Sequence, residues 1–349
     1  MREEGPGPEA PGFEAKLAFL RSAAPYEPGG PPPECIETHM SWLFLAGPRA
    51  YKLKKPVRYP ILDFTTQEAR AFFCREEVRL NGKLAPGVYL GVMALQWCEG
   101  RFQLLPETRL PAPGRTVDWL VAMRRLPAGR MLPGLLAAGN VTPGEVEALA
   151  EVLAAFYATA APVHLSPGEF VGRFRCELAT SREVLLRPQF RLSRAADALS
   201  RFEEALLVHA RLLEERASRL VDGHGDLRPE HICLVEPPVV IDCVEFNPRL
   251  REVDPFQELA FLAMECELAG QPWIGPRLLA RCSELLGDEP APDLLDLYTV
   301  HSALLRARLA MAHLLDPTPT LPDAWTPVAE RHLARALAAL EGLLHASRA

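Results

Sequence analysis

The sequence predicts an α+β protein in which a small β-rich lobe precedes a larger, mostly helical lobe. Short apolar and aromatic runs separated by turn signals dominate residues 35–126, interrupted by one segment of helical periodicity. From residue 127 to 349 helical periodicity takes over, and strand signals are confined to one short hairpin. Residues 1–34 are rich in Gly, Pro and Glu, so we expect a mostly flexible tail with one short helix near Phe13–Ala23.

The β-rich lobe is predicted to contain six strands and one helix. Its apolar runs are bounded by turn signals such as Gly47-Pro48, and the helical stretch ends near Asn81-Gly82, a pair that suits a helix C-terminus. The expected helix is Thr65–Leu84, and the expected strands are Ile36–His39, Ser41–Leu45, Tyr51–Lys54, Val88–Gln96, Phe102–Leu105 and Trp119–Met123.

In the helical lobe the clearest local signal is a capping box at Thr142–Glu145, with Pro143 at the first helical position. Its helix continues through Phe156. The hairpin consists of two short apolar runs that are separated by a Glu-Pro-Pro turn at 236–238. The other expected helices are Asp197–Leu220, Pro255–Ala269 and Leu294–Leu315, and the expected strands are Ile232–Val235 and Val239–Ile241.

The composition argues against several classes of protein. The 349 residues carry a net charge of −7 and no basic block, so nucleic-acid binding is not expected. The chain has no run of about 18 apolar residues, so a membrane-spanning helix is not expected. The acidic, proline-rich start does not resemble a signal peptide. The eight cysteines are scattered without a CxxC pair, as expected for free thiols. We therefore expect a cytoplasmic protein that binds neither nucleic acid nor membrane.

Lysine is used sparingly and in one place. Of the 38 lysine and arginine residues only five are lysines, and Lys52, Lys54 and Lys55 lie within four positions on a predicted strand. Because arginine fills most other basic positions, this cluster indicates that a compact ammonium group is needed there.

The strongest chemical signal is His224–Ile232 (HGDLRPEHI), which is followed by the hairpin and by Ile241-Asp242. The two ends of a hairpin are neighbours, so Asp226 and Asp242 are expected to face the same small volume. One carboxylate could accept a proton from a hydroxyl group while the other holds a divalent metal on phosphates. The structural alternative is that His224 and Asp226 cap a turn and that Asp242 ends a strand.

These segments resemble the catalytic core of the aminoglycoside phosphotransferase-like enzymes, small-molecule kinases with the two-lobed protein-kinase-like fold. The resemblance covers residues 36–315 and is strongest to a bacterial subgroup of unknown substrate that is sometimes fused to a P-loop kinase domain. This chain contains no GxxxxGK[ST] motif. The segments that resemble the subgroup are Glu37–Trp42, Ala50–Pro56, Leu62–Phe64, Arg79–Asn81, Leu84–Pro86, Val121–Leu126 and Asp242–Asn247.

The resemblance implies an ATP-dependent phosphotransferase that acts on a hydroxyl group of an unidentified small molecule. Asp226 matches the catalytic base, with His224 in the same motif, and Asp242 matches the aspartate that binds Mg²⁺ on ATP. Lys52 lies where the phosphate-contacting lysine is expected. Lys54 is the alternative, because it lies on the same face of the strand.

The helix after that strand is expected to supply a glutamate that pairs with the lysine. We favour Glu77, which apolar residues follow at helical spacing, and Glu76 is the rival. Thr38 and Ser41 fall at the turn that covers the phosphates in the family, although this turn has no glycine. The connection between the lobes, where the family's adenine docks against backbone groups, contains Met123, Arg124 and Arg125.

One departure from the family pattern bears on the metal. His231 occupies a position where the family has an asparagine that binds the second metal ion. Since Mg²⁺ prefers oxygen ligands and imidazole suits Mn²⁺ or Zn²⁺ better, His231 predicts either tolerance of Mn²⁺ or weakened catalysis. The alternative function is therefore a pseudokinase that acts as a nucleotide-binding regulatory module. A third reading is transfer of a nucleotidyl group to a protein.

Other positions keep open alternatives. Tyr157 stands where many relatives have a histidine. Asp254 either braces the catalytic loop, as in the family, or caps the following helix. Arg306 and Arg308 either bind an anionic substrate or form an ordinary polar helix face. The sequence identifies neither the acceptor nor a protein partner.

Overall fold

The computed structural model describes residues 11–26, 29–315 and 322–346. They form a sheet unit, which comprises the described residues up to Ala128 together with Val239–Pro248, and a helical unit, which comprises Gly129–Pro238 and the described residues from Arg249 onwards. The strands are β1 Glu34–Glu37, β2 Ser41–Ala46, β3 Arg49–Lys54, β4 Arg58–Tyr59, β5 Leu62–Asp63, β6 Tyr89–Cys98, β7 Arg101–Pro106, β8 Arg115–Arg124, β9 Val221–Asp222, β10 Ile232–Cys233, β11 Val239–Val240 and β12 Glu252–Val253. The helices are α1 Phe13–Leu20, α2 Gln67–Asn81, α3 Leu132–Ala138, α4 Pro143–Thr159, α5 Pro167–Leu185, α6 Ala195–Val208, α7 Ala210–Arg216, α8 Pro255–Leu268, α9 Ile274–Leu286, α10 Pro292–Ala312 and α11 Pro322–Ala346.

The sheet unit is built on a six-stranded antiparallel sheet with the strand order β1-β2-β3-β8-β6-β7. Strand β3 lies between β2 and β8, so that Lys52 is opposite Leu43 on one side and Val121 on the other. Strand β8 is a major part of the core, because every residue from Val117 to Met123 is buried. The predicted strands of this lobe are all present, with ends that differ by a few residues.

Helix α2 carries Glu77, the glutamate that we expected to pair with the lysine. It begins after Thr66, whose hydroxyl oxygen accepts a hydrogen bond from the Ala69 N–H at 3.1 Å. Its buried face includes Glu77 and Asn81, which are four residues apart and therefore lie on the same side of the helix.

Helix α1 packs against the sheet. Leu17 and Leu20 are buried with Trp42 and Phe44 in one apolar cluster. Nearby, the Lys16 ammonium donates to the Val117 carbonyl oxygen at 2.6 Å and to Asp118 at 2.9 Å. The helix expected near Phe13–Ala23 is therefore an integral part of the sheet unit. Residues 1–10 lie outside the described residues, so the flexibility expected for that part of the tail stays a prediction.

In the helical unit the capping box at Thr142 is present, and a second one at Ser166 opens α5. The helix expected over Asp197–Leu220 is divided into α6 and α7, because the backbone at His209 leaves the helical conformation with φ −105° and ψ 16°. Helices α3, α5, α9 and α11 were not predicted from the sequence.

One segment after β10 belongs to a different domain from the one that we expected. We placed all of 127–349 in the helical lobe, whereas Val239–Pro248 belongs to the sheet unit. Long-range hydrogen bonds explain this assignment: the Val240 N–H donates to the Leu84 carbonyl at 3.2 Å, and the Cys243 N–H donates to Asn81 Oδ1 at 2.9 Å. Asp242 is thereby part of the sheet unit.

The predicted fold class is confirmed: a small antiparallel-sheet unit is combined with a larger, mostly helical unit. Within the described ranges, the helices are all too short or too polar to cross a membrane.

Candidate active site

Lys52 lies between two carboxylates in the sheet unit. Its ammonium nitrogen is 2.9 Å from Glu77 Oε1 and 2.6 Å from Asp242 Oδ1. Strand β3 supplies the lysine, α2 supplies the glutamate, and the segment after β11 supplies the aspartate. The rival glutamate, Glu76, is on the outer side of α2, where it pairs with Arg79 one turn later.

A second lysine lies behind this group. Lys54 donates to Glu77 Oε2 at 2.6 Å and also bonds to Glu245, so Glu77 accepts one lysine on each carboxylate oxygen. Lys54 and Glu77 are 1% and 0% exposed, whereas the Lys52 side chain is 18% exposed. The two candidate lysines therefore have different surroundings: Lys52 reaches the surface and Lys54 does not.

Asp242 is held by its backbone rather than by its side chain alone. Its φ of 63° lies in the left-handed region, which a non-glycine residue adopts at a cost in free energy. The Asp242 N–H donates to the Tyr89 hydroxyl at 3.1 Å. With its neighbour Cys243 bound to Asn81, this arrangement presents a carboxylate that remains 42% exposed beside Lys52.

Opposite charges outweigh burial at both lysines. Burial favours their neutral forms, but Asp242 and Glu77 raise the pKa of Lys52, while Glu245 and Glu77 raise that of Lys54. Burial opposes ionisation of Glu77 as well, yet the two lysines lower its pKa. The pKa of Glu245 is raised because burial dominates there. Both lysines are therefore charged at neutral pH.

The turn before β2 is closed by its own side chains. The hydroxyl groups of Thr38 and Ser41 are 2.9 Å apart, and the Ser41 N–H donates to Thr38 Oγ1 at 2.9 Å. Lys55 donates to the Thr38 carbonyl oxygen at 2.6 Å. The hydroxyl groups that we expected near phosphate thus satisfy each other in this structure.

The segment expected to dock adenine is also engaged with the rest of the sheet unit. Met123 is buried in β8. The Arg124 N–H donates to the Val88 carbonyl at 2.8 Å, and the Arg125 N–H donates to the Pro48 carbonyl at 2.9 Å. The backbone N–H groups of Arg124 and Arg125, which lie in the segment expected to contact adenine, are therefore already bonded within the sheet unit.

In the helical unit, Asp226 follows β9 in an irregular loop. Arg228 donates to both of its carboxylate oxygens at 2.8 Å, in a bidentate pair. The His231 ring contacts the Asp226 carbonyl oxygen through Nδ1 at 2.8 Å. Because a carbonyl oxygen only accepts, Nδ1 carries the proton, and in the neutral ring Nε2 then carries the lone pair.

Glu258 holds the start of this loop. It accepts hydrogen bonds from the His224 N–H at 3.0 Å, from the Gly225 N–H, and from the Tyr157 hydroxyl at 2.7 Å. Burial raises its pKa. Through Glu258, Tyr157 is thus connected to the loop that contains Asp226. The His224 ring itself lies 5.8 Å from that of His231 and accepts the Asp226 N–H.

Asp254 performs one of the two roles that we considered, the cap of the following helix, and its role in bracing the catalytic loop stays a prediction. It caps α8 by accepting the Phe256 N–H at 2.9 Å. It also accepts from the Tyr298 hydroxyl at 2.8 Å and pairs with Arg216, which in turn binds Asp288 in a second bidentate contact. Asp254 itself is completely buried.

The two late arginines are paired with acidic residues on different helices. Arg306 donates to Glu265 on α8 at 3.1 Å, and Arg308 donates to Glu177 on α5 at 2.7 Å. Glu265 also contacts His332, and Glu267 pairs with Arg335. Glu265 and Glu267 are therefore each paired with an arginine of the helical unit.

The residues present fit a metal that is carried by a nucleotide. In the part of the chain that the structure describes, no group of three His, Cys, Asp or Glu side chains forms a metal cage. Mg²⁺ in phosphoryl-transfer sites is bound by one or two carboxylates together with substrate phosphates, and the half-exposed Asp242 suits this mode. His231 and Asp226 belong to the helical unit and Asp242 to the sheet unit, so their common site stays a prediction.

Four residues around the candidate site were not predicted from the sequence: Tyr89, Arg228, Glu245 and Glu258. Glu245 lies in the segment Asp242–Asn247 that carried the resemblance, so its position was the available signal. Arg228 lies within the segment His224–Ile232, two residues after Asp226. Tyr89 and Glu258 had no local signal, because both contact the site from distant parts of the chain.

Comparison with known proteins gave relatives of two kinds. No protein-family model matches the chain. Uncharacterized proteins from Mycobacterium bovis and Mycobacterium tuberculosis are 32% identical over 290 residues, which cover 78% of this chain and 53% of each relative. The chain thus spans about half the length of these curated relatives.

Solved structures resemble almost the whole chain. A choline/ethanolamine kinase family protein from Mesorhizobium loti has a TM-score of 0.54 at 18% identity and covers 94% of this chain and 95% of its own. Choline kinase from Cryptosporidium parvum has a TM-score of 0.55 at 10% identity, with 96% and 97% covered. A thermostable mutant of aminoglycoside phosphotransferase APH(4)-Ia, in a ternary complex with AMP-PNP and hygromycin B, has a TM-score of 0.51 at 15% identity, with 88% and 93% covered. The chain therefore has the protein-kinase-like fold of the aminoglycoside phosphotransferases and choline kinases.

Proposed function

We propose that this protein is an ATP-dependent phosphotransferase that transfers the γ-phosphate of ATP to a hydroxyl group of a small molecule. The observation that carries the proposal is the position of Lys52 between Glu77 and Asp242, on a chain with the protein-kinase-like fold. A lysine fixed by a helix glutamate and placed beside a metal-binding aspartate is the arrangement that phosphoryl transfer requires.

Each residue of the group has a distinct role in this proposal. Lys52 neutralises phosphate charge, and Glu77 keeps the lysine extended and protonated. Asp242 would hold Mg²⁺ or Mn²⁺, which supplies charge neutralisation at the β- and γ-phosphates. On ATP binding, the Lys52 ammonium exchanges its contact with Asp242 for a phosphate oxygen, which frees that carboxylate for the metal.

Asp226 is the proposed general base. Arg228 binds both of its oxygens, which fixes the plane of the carboxylate. Glu258 holds the His224–Gly225 backbone and thereby positions the loop. An acceptor hydroxyl group must share one Asp226 oxygen with Arg228 in order to transfer its proton, and this is the step that we assign to Asp226.

The neighbours support nucleotide use and leave the acceptor open. The names of the solved neighbours include choline kinases and an aminoglycoside phosphotransferase, the latter bound to AMP-PNP. The pairing of Glu265 and Glu267 with arginines argues against a polycationic acceptor such as an aminoglycoside. The acceptor screen should therefore begin with neutral and anionic hydroxyl compounds.

A pseudokinase is the second candidate, and two contacts favour it. Asp226 is bound by Arg228 and Asp242 by Lys52, so each carboxylate that chemistry needs is already paired with a cation of the chain. In this alternative the protein binds nucleotide as a regulatory module and transfers no phosphate.

The first experiment is calorimetric titration of the protein with ATP in the presence and absence of Mg²⁺ or Mn²⁺. We expect metal-dependent binding that is lost in Asp242→Asn and retained in Asp226→Asn, because Asp242 is the proposed ligand of the metal and Asp226 acts on the acceptor. Turnover with an acceptor should fall about 10²–10⁴-fold in Asp226→Asn, the usual contribution of a general base. If His231 confers tolerance of Mn²⁺, His231→Asn should lower activity with Mn²⁺ relative to Mg²⁺.

Two results would contradict this proposal. Metal-independent ATP binding by the wild-type protein would favour the pseudokinase, and unchanged turnover in Asp226→Asn would remove this residue from the role of base.

A further inference from the structure

Lys54 is a buried cation with two anionic partners. Its side chain is 1% exposed, and its ammonium nitrogen bonds to Glu77 and to Glu245. The ring centroid of Phe64 lies 5.1 Å from the same nitrogen. Because the ammonium group is enclosed in this way, Lys54 cannot act by touching a nucleotide from solvent.

The partners of Lys54, Glu77 and Glu245, also connect it to the surroundings of Lys52. Glu77 binds Lys54 through Oε2 and Lys52 through Oε1. Glu245 lies three residues after Asp242 in the segment Val239–Pro248. One buried ammonium group therefore fixes the carboxylate plane of Glu77 and ties it to the segment that presents Asp242.

We propose that Lys54 is a positioning residue, which sets the arrangement of Glu77 and Asp242 around Lys52. The inference deepens the proposed function, on which its catalytic purpose rests. Lys54 acts through Glu77 and Glu245 and has no contact of its own with ATP.

The charges of the cluster explain why a lysine is needed at this position. Lys52 and Lys54 carry two positive charges, whereas Glu77, Asp242 and Glu245 can carry three negative charges. A compact ammonium group has three donors and can serve two carboxylates in different directions. Without Lys54, two buried carboxylates would compete for the single cation Lys52, which would draw Lys52 away from Asp242.

The competing explanation is that Lys54 only neutralises Glu245 in the core. A double variant, Lys54→Met with Glu245→Leu, separates these explanations because it removes the buried cation together with its exclusive partner. Replacing a buried ion pair by apolar residues of similar volume usually preserves stability, so this variant should fold even if Lys54→Met alone does not. Lys83→Met is the matched control, since Lys83 is exposed just after α2.

The experiment measures the acylation rate of Lys52 by mass spectrometry, with thermal melting as the control for folding. With only five lysines in the chain, each one can be followed separately. We expect wild-type Lys52 to react slowly, because its ammonium nitrogen is held between Glu77 Oε1 at 2.9 Å and Asp242 Oδ1 at 2.6 Å. In the double variant Glu77 is no longer held from behind, so Lys52 should react severalfold faster while the melting temperature stays close to that of the wild type.

The same samples are titrated with ATP and Mg²⁺, which separates the inference from the proposed function. We expect the double variant to bind MgATP about tenfold more weakly, the loss that a misplaced charge-assisted hydrogen bond gives, and Lys83→Met to behave like the wild type. If MgATP does not slow the acylation of Lys52 in the wild-type protein, the proposed function is contradicted, whatever the result for the double variant. Equal Lys52 labelling in the folded double variant and the wild type would overturn the role of Lys54, even if the wild type binds MgATP.

Discussion

The sheet unit and the helical unit each contain a largely buried ionic group, and the two groups differ in how far they are open to solvent. The lysine cluster of the sheet unit consists of Lys52, Lys54, Glu77, Asp242 and Glu245, and the Asp254 network of the helical unit consists of Asp254, Arg216, Asp288 and Tyr298. Asp254 is fully buried and accepts from Arg216, Tyr298 and the Phe256 N–H. In the lysine cluster, Asp242 remains 42% exposed and pairs with Lys52.

The type of cation accounts for the difference. The planar guanidinium of Arg216 makes bidentate contacts with Asp254 and Asp288, which fix the geometry and leave little to exchange. The ammonium of Lys52 is a point charge that can exchange one carboxylate for a phosphate oxygen. We infer that the closed arginine network stabilises the fold and that the open lysine cluster binds the proposed ATP ligand.

The largest predicted effect tests this division directly. Arg216→Met should lower the free energy of unfolding by about 3–5 kcal/mol, because it leaves Asp254 buried without its cation. Lys52→Met should cost much less stability, since Glu77 keeps Lys54 and Asp242 is open to water. Thermal and urea unfolding measure both variants. MgATP binding should fall more in Lys52→Met than in Arg216→Met. Similar losses of stability in the two variants would contradict the comparison.

The next effect concerns acid pH and a buried histidine of the helical unit. Burial lowers the pKa of His301 from 6.5 to about 4, with Arg308 acting in the same direction and Glu177 against it. The unfolded chain therefore binds a proton that the folded protein does not bind between these values. Stability is fully present above about pH 6.5 and falls by about 3 kcal/mol as the pH drops towards about 4.

His301→Gln provides the control for this pH dependence. It removes the titrating ring, which packs 4.7 Å from Phe174, so its stability should fall less steeply than that of the wild type between pH 6.5 and 4. Melting curves over this pH range measure the difference. Parallel curves for the two proteins would show that His301 does not contribute. Lys52 and Lys54 should contribute no loss in this range, because their raised pKa values lie on the alkaline side.

The smallest effect uses two tyrosines that each provide one hydroxyl contact. Tyr298→Phe removes a donor to Asp254 and should lower stability by about 1–2 kcal/mol without changing MgATP affinity. Tyr89→Phe removes the acceptor of the Asp242 N–H, so it should weaken MgATP binding with a smaller loss of stability. Calorimetry and thermal melting on both variants give the comparison, and it fails if Tyr298→Phe weakens nucleotide binding as much as Tyr89→Phe does.

Local patterns in the sequence were sufficient for much of the fold. The apolar runs and turn signals of the β-rich lobe predicted the six strands of its main sheet but not the short strands β4 and β5, because strand periodicity and turn chemistry depend on residues close in the chain. The capping box at Thr142 was visible for the same reason. Helix α1 was visible as a helix, but its packing against Trp42 and Phe44 was not, since the contact joins distant segments.

The choice between Glu76 and Glu77 could have been made more firmly from local sequence. Glu76 has Arg79 three residues later, the spacing of a surface ion pair on a helix, and this is the pair that forms. The remaining glutamate, Glu77, is the one that faces the sheet. The choice between Lys52 and Lys54 had no such signal, because both point to the same face of β3 and Glu77 binds both.

The sequence by itself determined the fold class, the location of most strands and the kinds of side chain that phosphate chemistry needs. Those properties depend on periodicity, capping and short motifs, which act within a few residues of the chain. Only the tertiary structure decided that Val239–Pro248 joins the sheet unit, that Arg228 binds Asp226, and that a buried Lys54 links Glu77 to Glu245. These pairings depend on which side chains fill one volume after packing, where burial makes each unpaired charge costly and so selects its partner.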